Sequence, residues 1–183
     1  MSEASIGQSF LEQQVIDETN IDAKFKYALA KLSGSEKILR CFQCGSCTSD
    51  CPVARYNANY NPRQLIRMAT LGLTERVLKN DSLWLCAACF TCTDRCPQNI
   101  EVASVIRVFR NLAVEKCCMP QVFKDQIESV LETGYAFKIS EMRIKKREQQ
   151  NLPPLPKGNT ENICKILKGI KFFDKTCKAQ GDP

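Results

Sequence analysis

Apolar residues recur mostly at helical spacing along the chain, which predicts a mostly α protein. The clearest stretch runs from residue 99 to about 116, where we expect Asn99 to cap a helix with one continuous apolar face. That face follows i, i+3, i+4, i+7, i+10 and i+11, at Val102, Val105, Ile106, Phe109, Leu112 and Ala113. The sequence holds no long alternating pattern typical of strands, apart from the brief Tyr135, Phe137 and Ile139.

Asparagine, proline and glycine mark the ends of two further predicted helices. In the first, Asn61 fits the N-cap, Pro62 the first helical position and Gly72 the C-terminal stop. The second begins at Pro120 and stops at Gly134. Its apolar face consists of Phe123, Ile127, Val130 and Leu131.

Both ends of the chain are interpreted as helical extensions of a central domain at residues 38–118. Residues 1–37 carry two apolar stripes, one at Phe10, Leu11, Val15 and Ile16 and one at Phe25, Ala28, Leu29 and Leu32. In the extension at residues 119–183, the prolines at 153, 154 and 156 mark an extended linker that follows a polar stretch. From Asn162 to Lys178 the pattern predicts a basic amphipathic helix. We expect it to lie in a partner's groove; packing on its own domain or lying on an anionic membrane are the alternatives.

Composition excludes several kinds of chemistry. The 183 residues include 12 Cys and no His, which excludes Ser-His and Cys-His nucleophilic pairs, His-ligated zinc and haem, and Rieske centres. No apolar run approaches the roughly 20 residues that cross a bilayer, and the N-terminus does not resemble a secretory signal. We therefore expect a cytoplasmic protein without a membrane span, in which thiols stay reduced and dense cysteines indicate metal.

Eight of the cysteines form two runs of identical spacing, 45 residues apart. Both read C-x2-C-x2-C-x3-C-P, the spacing of two-cluster bacterial ferredoxins. Three closely spaced thiolates can hold three corners of a cubane, and the proline after the fourth Cys ends the loop. In two-cluster proteins the fourth Cys ligates the other cluster. We therefore assign two [4Fe–4S] clusters, the first held by Cys41, Cys44, Cys47 and Cys96 and the second by Cys86, Cys89, Cys92 and Cys51.

Other interpretations of the cysteines explain less. Structural zinc needs only four thiolates, usually as two separated C-x2-C pairs, and leaves the third Cys and the final proline of each run unexplained. A disulfide framework would need an oxidising compartment. Cys117 and Cys118 are interpreted as buried small hydrophobes, and Cys164 and Cys177 receive no role.

The formal net charge of +6 does not make nucleic acid an expected partner. With its cluster and thiolates, each of the two sites carries a charge of roughly −2. The net charge of the holoprotein is therefore about +2. No zinc finger, helix-turn-helix or RNA-binding signature accompanies the charge.

The pattern indicates one-electron transfer rather than catalysis. Each cluster has a complete set of four thiolates, and the sequence shows neither a nucleotide-binding glycine motif nor paired carboxylates at a recognisable site. No catalytic residue is therefore assigned. Arg40, Arg55 and Arg95 flank the motifs and could raise cluster potentials, although we interpret them mainly as exposed side chains.

The two motifs, together with Asn61-Pro62-Arg63 and Trp84-Leu85, resemble the C subunit of the coenzyme B–coenzyme M heterodisulfide reductases of methanogenic archaea. The resemblance implies an α-helical ferredoxin fold and the eight motif cysteines as cluster ligands. It also implies a soluble complex in which electrons pass from the flavin-bearing A subunit to the catalytic B subunit, which reduces CoM-S-S-CoB. A nickel–iron hydrogenase or formate dehydrogenase would feed that complex, and flavin-based bifurcation would reduce ferredoxin as well. The catalytic CCG motifs of the B subunit are not matched, since Cys117-Cys118 is followed by Met119.

The same motif serves other electron-transfer proteins. Two alternatives remain. One is the electron-transfer subunit of another heterodisulfide-reductase-like or quinone-linked dehydrogenase complex, and the other is a free ferredoxin. The long extensions favour docking in a complex over free diffusion.

Overall fold

The computed structural model describes residues 21–156 and 158–169. Within these residues the secondary structure consists of ten α-helices and two 3-10 helices, and no strand is present. The mostly α fold predicted from the sequence is confirmed. The α-helices are α1 (Phe25–Leu29), α2 (Ser46–Ser49), α3 (Pro52–Tyr56), α4 (Pro62–Thr70), α5 (Thr74–Leu78), α6 (Thr91–Asp94), α7 (Val102–Glu115), α8 (Gln121–Thr133), α9 (Glu141–Gln149) and α10 (Thr160–Gly169). The 3-10 helices are Ile38–Arg40 and Asp81–Leu85.

The hydrophobic core forms around α7, whose predicted apolar face is largely buried. Helix α7 packs against α4, α5 and α6. Phe109 is fully buried, and Leu29 of α1 joins the same core. Burial of each such large side chain contributes about 1.5–3 kcal/mol. This core fixes the positions of the loops that carry both cysteine motifs.

Helix α4 begins and ends where the sequence signals predict, and α8 ends where they predict but begins one residue later, at Gln121, with Pro120 as its N-cap. The Asn61 side chain accepts a hydrogen bond from the Gln64 N–H (3.0 Å), and Pro62 is the first helical residue. Gly72 has a φ of +81° and lies directly against the Asp22 backbone. Gly134 caps α8 with a φ of +76°. These ends depend on local chemistry and were therefore predictable.

The expected start of α7 is wrong. Asn99 has a φ of +52°, in the left-handed region that asparagine tolerates, and the helix begins only at Val102. The Oγ1 of Thr93 accepts a hydrogen bond from the Ala103 N–H (3.4 Å). The partner of this N–H comes from the second cysteine motif rather than from Asn99.

Of the three helices described in the C-terminal extension, α8 and α10 were predicted from the sequence and α9 was not. Helix α9 lies in the polar stretch before the prolines. Helix α10 covers the first part of the basic amphipathic segment and packs against α8 of the same chain, with Ile163 and Leu167 facing a groove shared with Phe123. The rest of that segment and the stripe from Phe10 to Ile16 lie outside the described residues. The domain boundaries stay a prediction.

Across residues 21–156 and 158–169, no helix combines the length and apolar character needed to span a bilayer.

Candidate metal centre

The two cysteine motifs lie in structurally repeated halves. Each motif follows a 3-10 helix, contains a short helix just after its second Cys, and leads toward a longer core helix. The short helices α2 and α6 pack against each other, and each also packs against the longer helix of its own half, α4 or α7. The 45-residue repeat of the sequence is thus a repeat of structure.

A threonine connects the motif loop to the longer helix in each half. The Oγ1 of Thr48 accepts a hydrogen bond from the Arg63 N–H (3.0 Å), as that of Thr93 does from Ala103. Arg63 and Ala103 each occupy the second position of their helix. The loops are therefore held to the core at equivalent points.

Both loops turn through left-handed backbone at equivalent positions. The residues on either side of the second Cys have positive φ: +63° at Gln43 and +92° at Gly45 in the first loop. In the second loop the values are +50° at Ala88 and +62° at Phe90. For the three residues other than glycine, this conformation costs roughly 1–2 kcal/mol each. Such strain persists when the surrounding structure imposes it, as at ligand-holding loops.

Four cysteines line one cavity, and they come from both motifs. Cys41, Cys44 and Cys47 of the first motif face this space together with Cys96 of the second. The lining of this cavity contains neither Asp nor Glu, so its metal-binding groups are the four thiols.

Among the remaining four motif cysteines, Cys92 is a neighbour of the other three. Burial raises the pKa of Cys92 to about 11, and the neighbouring thiols of Cys86, Cys47, Cys51 and Cys89 contribute to the rise. Cys51 and Cys92 are both buried. Because Cys47 is one of those neighbours, the second thiol set lies beside the first.

Hydrogen bonds reach sulfur atoms in both sets. The Cys41 sulfur accepts one from Gln43 Nε2 (3.3 Å), the Cys86 sulfur from the Ala88 N–H (3.4 Å), and the Cys96 sulfur from the Ile100 N–H (3.4 Å). Donors of this kind stabilise thiolate charge.

The second cysteine of each motif is the exposed one. Cys44 lies 3.4 Å from the Ser46 hydroxyl and Cys89 lies 3.5 Å from the Thr91 hydroxyl. These side-chain hydrogen bonds, assisted by backbone hydrogen bonds, lower the pKa of both thiols. Each thiol set therefore has one member at the protein surface.

Two residues missed by the sequence analysis support the second thiol set. Arg110 of α7 donates to the carbonyl oxygens of Leu83 (3.0 Å) and Cys86 (2.7 Å), and its guanidinium lies over the Trp84 ring. Tyr60 is buried; desolvation raises its pKa, and a hydrogen bond with Cys86 adds to the effect. Neither contact has a signal in local sequence, because each joins residues more than 20 positions apart.

The donor chemistry fits iron–sulfur clusters. Thiolate sulfur is the ligand such clusters take, and four thiols per set is the required number. Within the described residues, no three Cys, Asp or Glu side chains are placed to hold one metal ion. Outside the two sets, Cys117 is exposed, so the expectation that it is buried is wrong; Cys118 packs half-buried against the core and Cys164 lies half-buried on α10. Cys177 is outside the described residues.

Comparison with known proteins agrees with this site. Residues 37–100 match the 4Fe-4S dicluster domain family. The chain is 38% identical over 141 residues to the C subunit of the ferredoxin:CoB-CoM heterodisulfide reductase of Methanosarcina mazei, covering 77% of this chain and 86% of that protein. It is 32% identical over 167 residues to the C subunit of the H(2):CoB-CoM heterodisulfide,ferredoxin reductase of Methanothermobacter thermautotrophicus, covering 88% and 89%. A protein of Archaeoglobus profundus, named as similar to the heterodisulfide reductase C subunit, is 29% identical over 94% of the chain. The chain belongs to the family of iron–sulfur C subunits of CoB–CoM heterodisulfide reductases.

Proposed function

We propose that this chain relays single electrons between the flavin-bearing A subunit and the catalytic B subunit of a heterodisulfide reductase, through two [4Fe–4S] clusters. The B subunit would reduce CoM-S-S-CoB with these electrons, and this chain would have no substrate site of its own. The observation that carries the proposal is the position of Cys96 in one cavity with Cys41, Cys44 and Cys47.

The thiols of the chain support a crossed ligand arrangement. Cys96 would complete the set of Cys41, Cys44 and Cys47, while Cys51 would complete the set of Cys86, Cys89 and Cys92. Each loop would then hold one cluster with three thiolates and the neighbouring cluster with one. Because each set is complete with four thiolates, no ligand position is left for a substrate.

The placement of the thiol sets supports a relay rather than storage. When bound, the clusters accept and release one electron at a time. Cys51 and Cys92 are buried, and Cys92 is a neighbour of Cys47 in the other set, whereas Cys44 and Cys89 are at the surface. Each set therefore has an outward side that a partner protein can approach and an inward side toward the other set.

The upstream donor is also part of the proposal. The name of the Methanothermobacter relative gives hydrogen as the first reactant, and the name of the Methanosarcina relative gives ferredoxin. We propose that the A subunit receives electrons from a hydrogenase or formate dehydrogenase module, and that this chain acts downstream of it.

Iron counting in double variants tests the crossed ligands. Protein purified without oxygen should contain about eight iron atoms per chain. Cys44→Ala should leave about four, and adding Cys96→Ala should remove no more, because both thiols serve one cluster. Combining Cys89→Ala with Cys96→Ala should remove nearly all the iron. Cys118→Ala is the matched control and should retain about eight.

If adding Cys96→Ala to Cys89→Ala removed no further iron, while adding it to Cys44→Ala removed nearly all of it, each motif would hold its own cluster. Zinc as the main metal would overturn the cofactor assignment.

Co-purification tests the role in a complex. A tagged full-length chain expressed in its native cells should recover a flavoprotein and a protein with CCG motifs. The isolated chain, supplied with a reduced viologen, should leave CoM-S-S-CoB unreduced. Recovery as a lone monomer would instead support a free ferredoxin, and turnover by the chain alone would contradict the assignment of catalysis to the B subunit.

A further inference from the structure

We propose that the guanidinium of Arg63 raises the reduction potential of the cluster held by Cys41, Cys44, Cys47 and Cys96. The inference rests on the proposed function, since it requires that cluster, and it assigns Arg63 an electrostatic role in electron transfer. In the sequence Arg63 contributes only to the resemblance carried by Asn61-Pro62-Arg63, and the arginines considered there for an effect on cluster potential are Arg40, Arg55 and Arg95.

The Arg63 side chain lies over the first cysteine loop. It lines the same cavity as the four thiols, although it lies 16 positions after Cys47 in the sequence. Its Nη1 and Cδ atoms lie 3.7 and 3.8 Å from the point where a Cβ on Gly45 would stand. The backbone N–H of Arg63 is bound by Thr48 of that loop, so the helix start and the loop are fixed relative to each other.

The positive charge of Arg63 is available to the cavity. Within the described residues its guanidinium forms no ion pair, and every other residue that lines the cavity is uncharged or a thiol. Arg95, which flanks the second motif, is different because its Nε lies 3.3 Å from Asp50. Among the lining residues, Arg63 alone offers a cation to an anionic cluster.

The equivalent position in the second half of the repeat carries no cation. The residue equivalent to Arg63 is Ala103, which occupies the same helical position and makes the same hydrogen bond to its threonine. The nearby Arg110 of the second half directs its donors to the carbonyls of Leu83 and Cys86. The two halves therefore share a framework and differ in the charge carried at this helical position.

Reduction adds one negative charge to a cluster, and a nearby cation stabilises the reduced form more than the oxidised form. Arg63 is solvent-exposed, so water and salt weaken the effect. We expect the loss of its charge to lower the equilibrium constant for reducing the first cluster by about tenfold, which equals about 59 mV for one electron.

An EPR-monitored redox titration tests the inference, with midpoint potential as the readout. The titration uses the full chain carrying Cys89→Ala, which should retain only the first cluster. In this background Arg63→Gln should lower the midpoint potential by about 59 mV, the equivalent of a tenfold change. Arg63→Lys should keep the midpoint potential near that of the unsubstituted Arg63 protein, because it keeps the charge. Arg67→Gln is the control, since Arg67 is exposed one turn later on the same helix and does not line the cavity. It should leave the midpoint unchanged.

Two kinds of failure can be told apart. If the Cys89→Ala protein holds no cluster with an EPR signal, the ligand assignment fails before Arg63 is tested. If the cluster is present and Arg63→Gln titrates like Arg67→Gln, the inference about Arg63 is wrong while the proposed function stands. An equal shift in both arginine variants would show a general surface-charge effect and would also overturn the role of Arg63.

Discussion

Replacing Arg110 with Met should destabilise the second cysteine motif while keeping the length of the side chain. Arg110 makes two hydrogen bonds, of 2.7 and 3.0 Å, to carbonyls at the end of the 3-10 helix before Cys86. Hydrogen bonds to a charged donor are worth about 1.5–3 kcal/mol each, and the contact with Trp84 adds about 0.5–1 kcal/mol. Because Arg110 is only half-buried, we take the lower values and expect a loss of about 3–4 kcal/mol in the free energy of unfolding.

The assay for Arg110→Met is thermal unfolding of the anaerobic holoprotein, followed by circular dichroism and by cluster absorbance. For a chain of this size the loss corresponds to a fall in Tm of about 6–16 °C. Arg107→Met is the matched control on the same helix, since Arg107 is exposed and donates only a 3.4 Å hydrogen bond to Ser104. We expect that control to lower the Tm by no more than about 2 °C. Equal Tm values for the two variants would refute the reasoning.

Three further predictions concern backbone space and titrating groups. Gly72→Ala should cost more than about 2 kcal/mol, because the positive φ disfavours alanine and the new Cβ would overlap the Asp22 carbonyl; an unchanged Tm would contradict this. Tyr60 ionises in the unfolded chain near pH 10 but only at higher pH when folded. Stability should therefore fall above about pH 10, by at most about 1.4 kcal/mol per pH unit for this group, and urea titrations of Tyr60→Phe should show a shallower fall. In the metal-free chain, the lowered pKa of Cys44 should let iodoacetamide label it at pH 8, whereas the pKa of about 11 should delay labelling of Cys92 until alkaline pH. Peptide mass spectrometry over a pH series measures both rates, and equal labelling at pH 8 would be evidence against the assigned environments.

Local signals predicted much of the fold. The asparagine cap and proline at the start of α4, and the glycine at the end of α8, act within a few residues and are visible in the sequence. Helix α9 was missed because its segment is largely polar and its two apolar residues, Met142 and Ile144, do not form a continuous apolar face. The start of α7 was misplaced because the partner of the Ala103 N–H is Thr93, which belongs to another element.

Part of the candidate site could likewise be predicted from local sequence, and the rest depends on contacts between distant residues. The spacing of the cysteines identified all eight thiols, and the cavity brings Cys96 to the first motif as the crossed assignment requires. That assignment stays a prediction until iron is counted. The contacts of Arg63, Tyr60 and Arg110 depend on tertiary packing, so no local pattern could have indicated them.

The ion pair between Asp50 and Arg95 has a consequence for the symmetry of the repeat. Both residues immediately precede the fourth Cys of their motif and are therefore equivalent positions of the two halves. Two identical halves would carry the same residue at both positions, and the contact would then bring two like charges together. The attraction between unlike charges therefore depends on a difference in sequence between the halves, and an exact repeat could not form this contact.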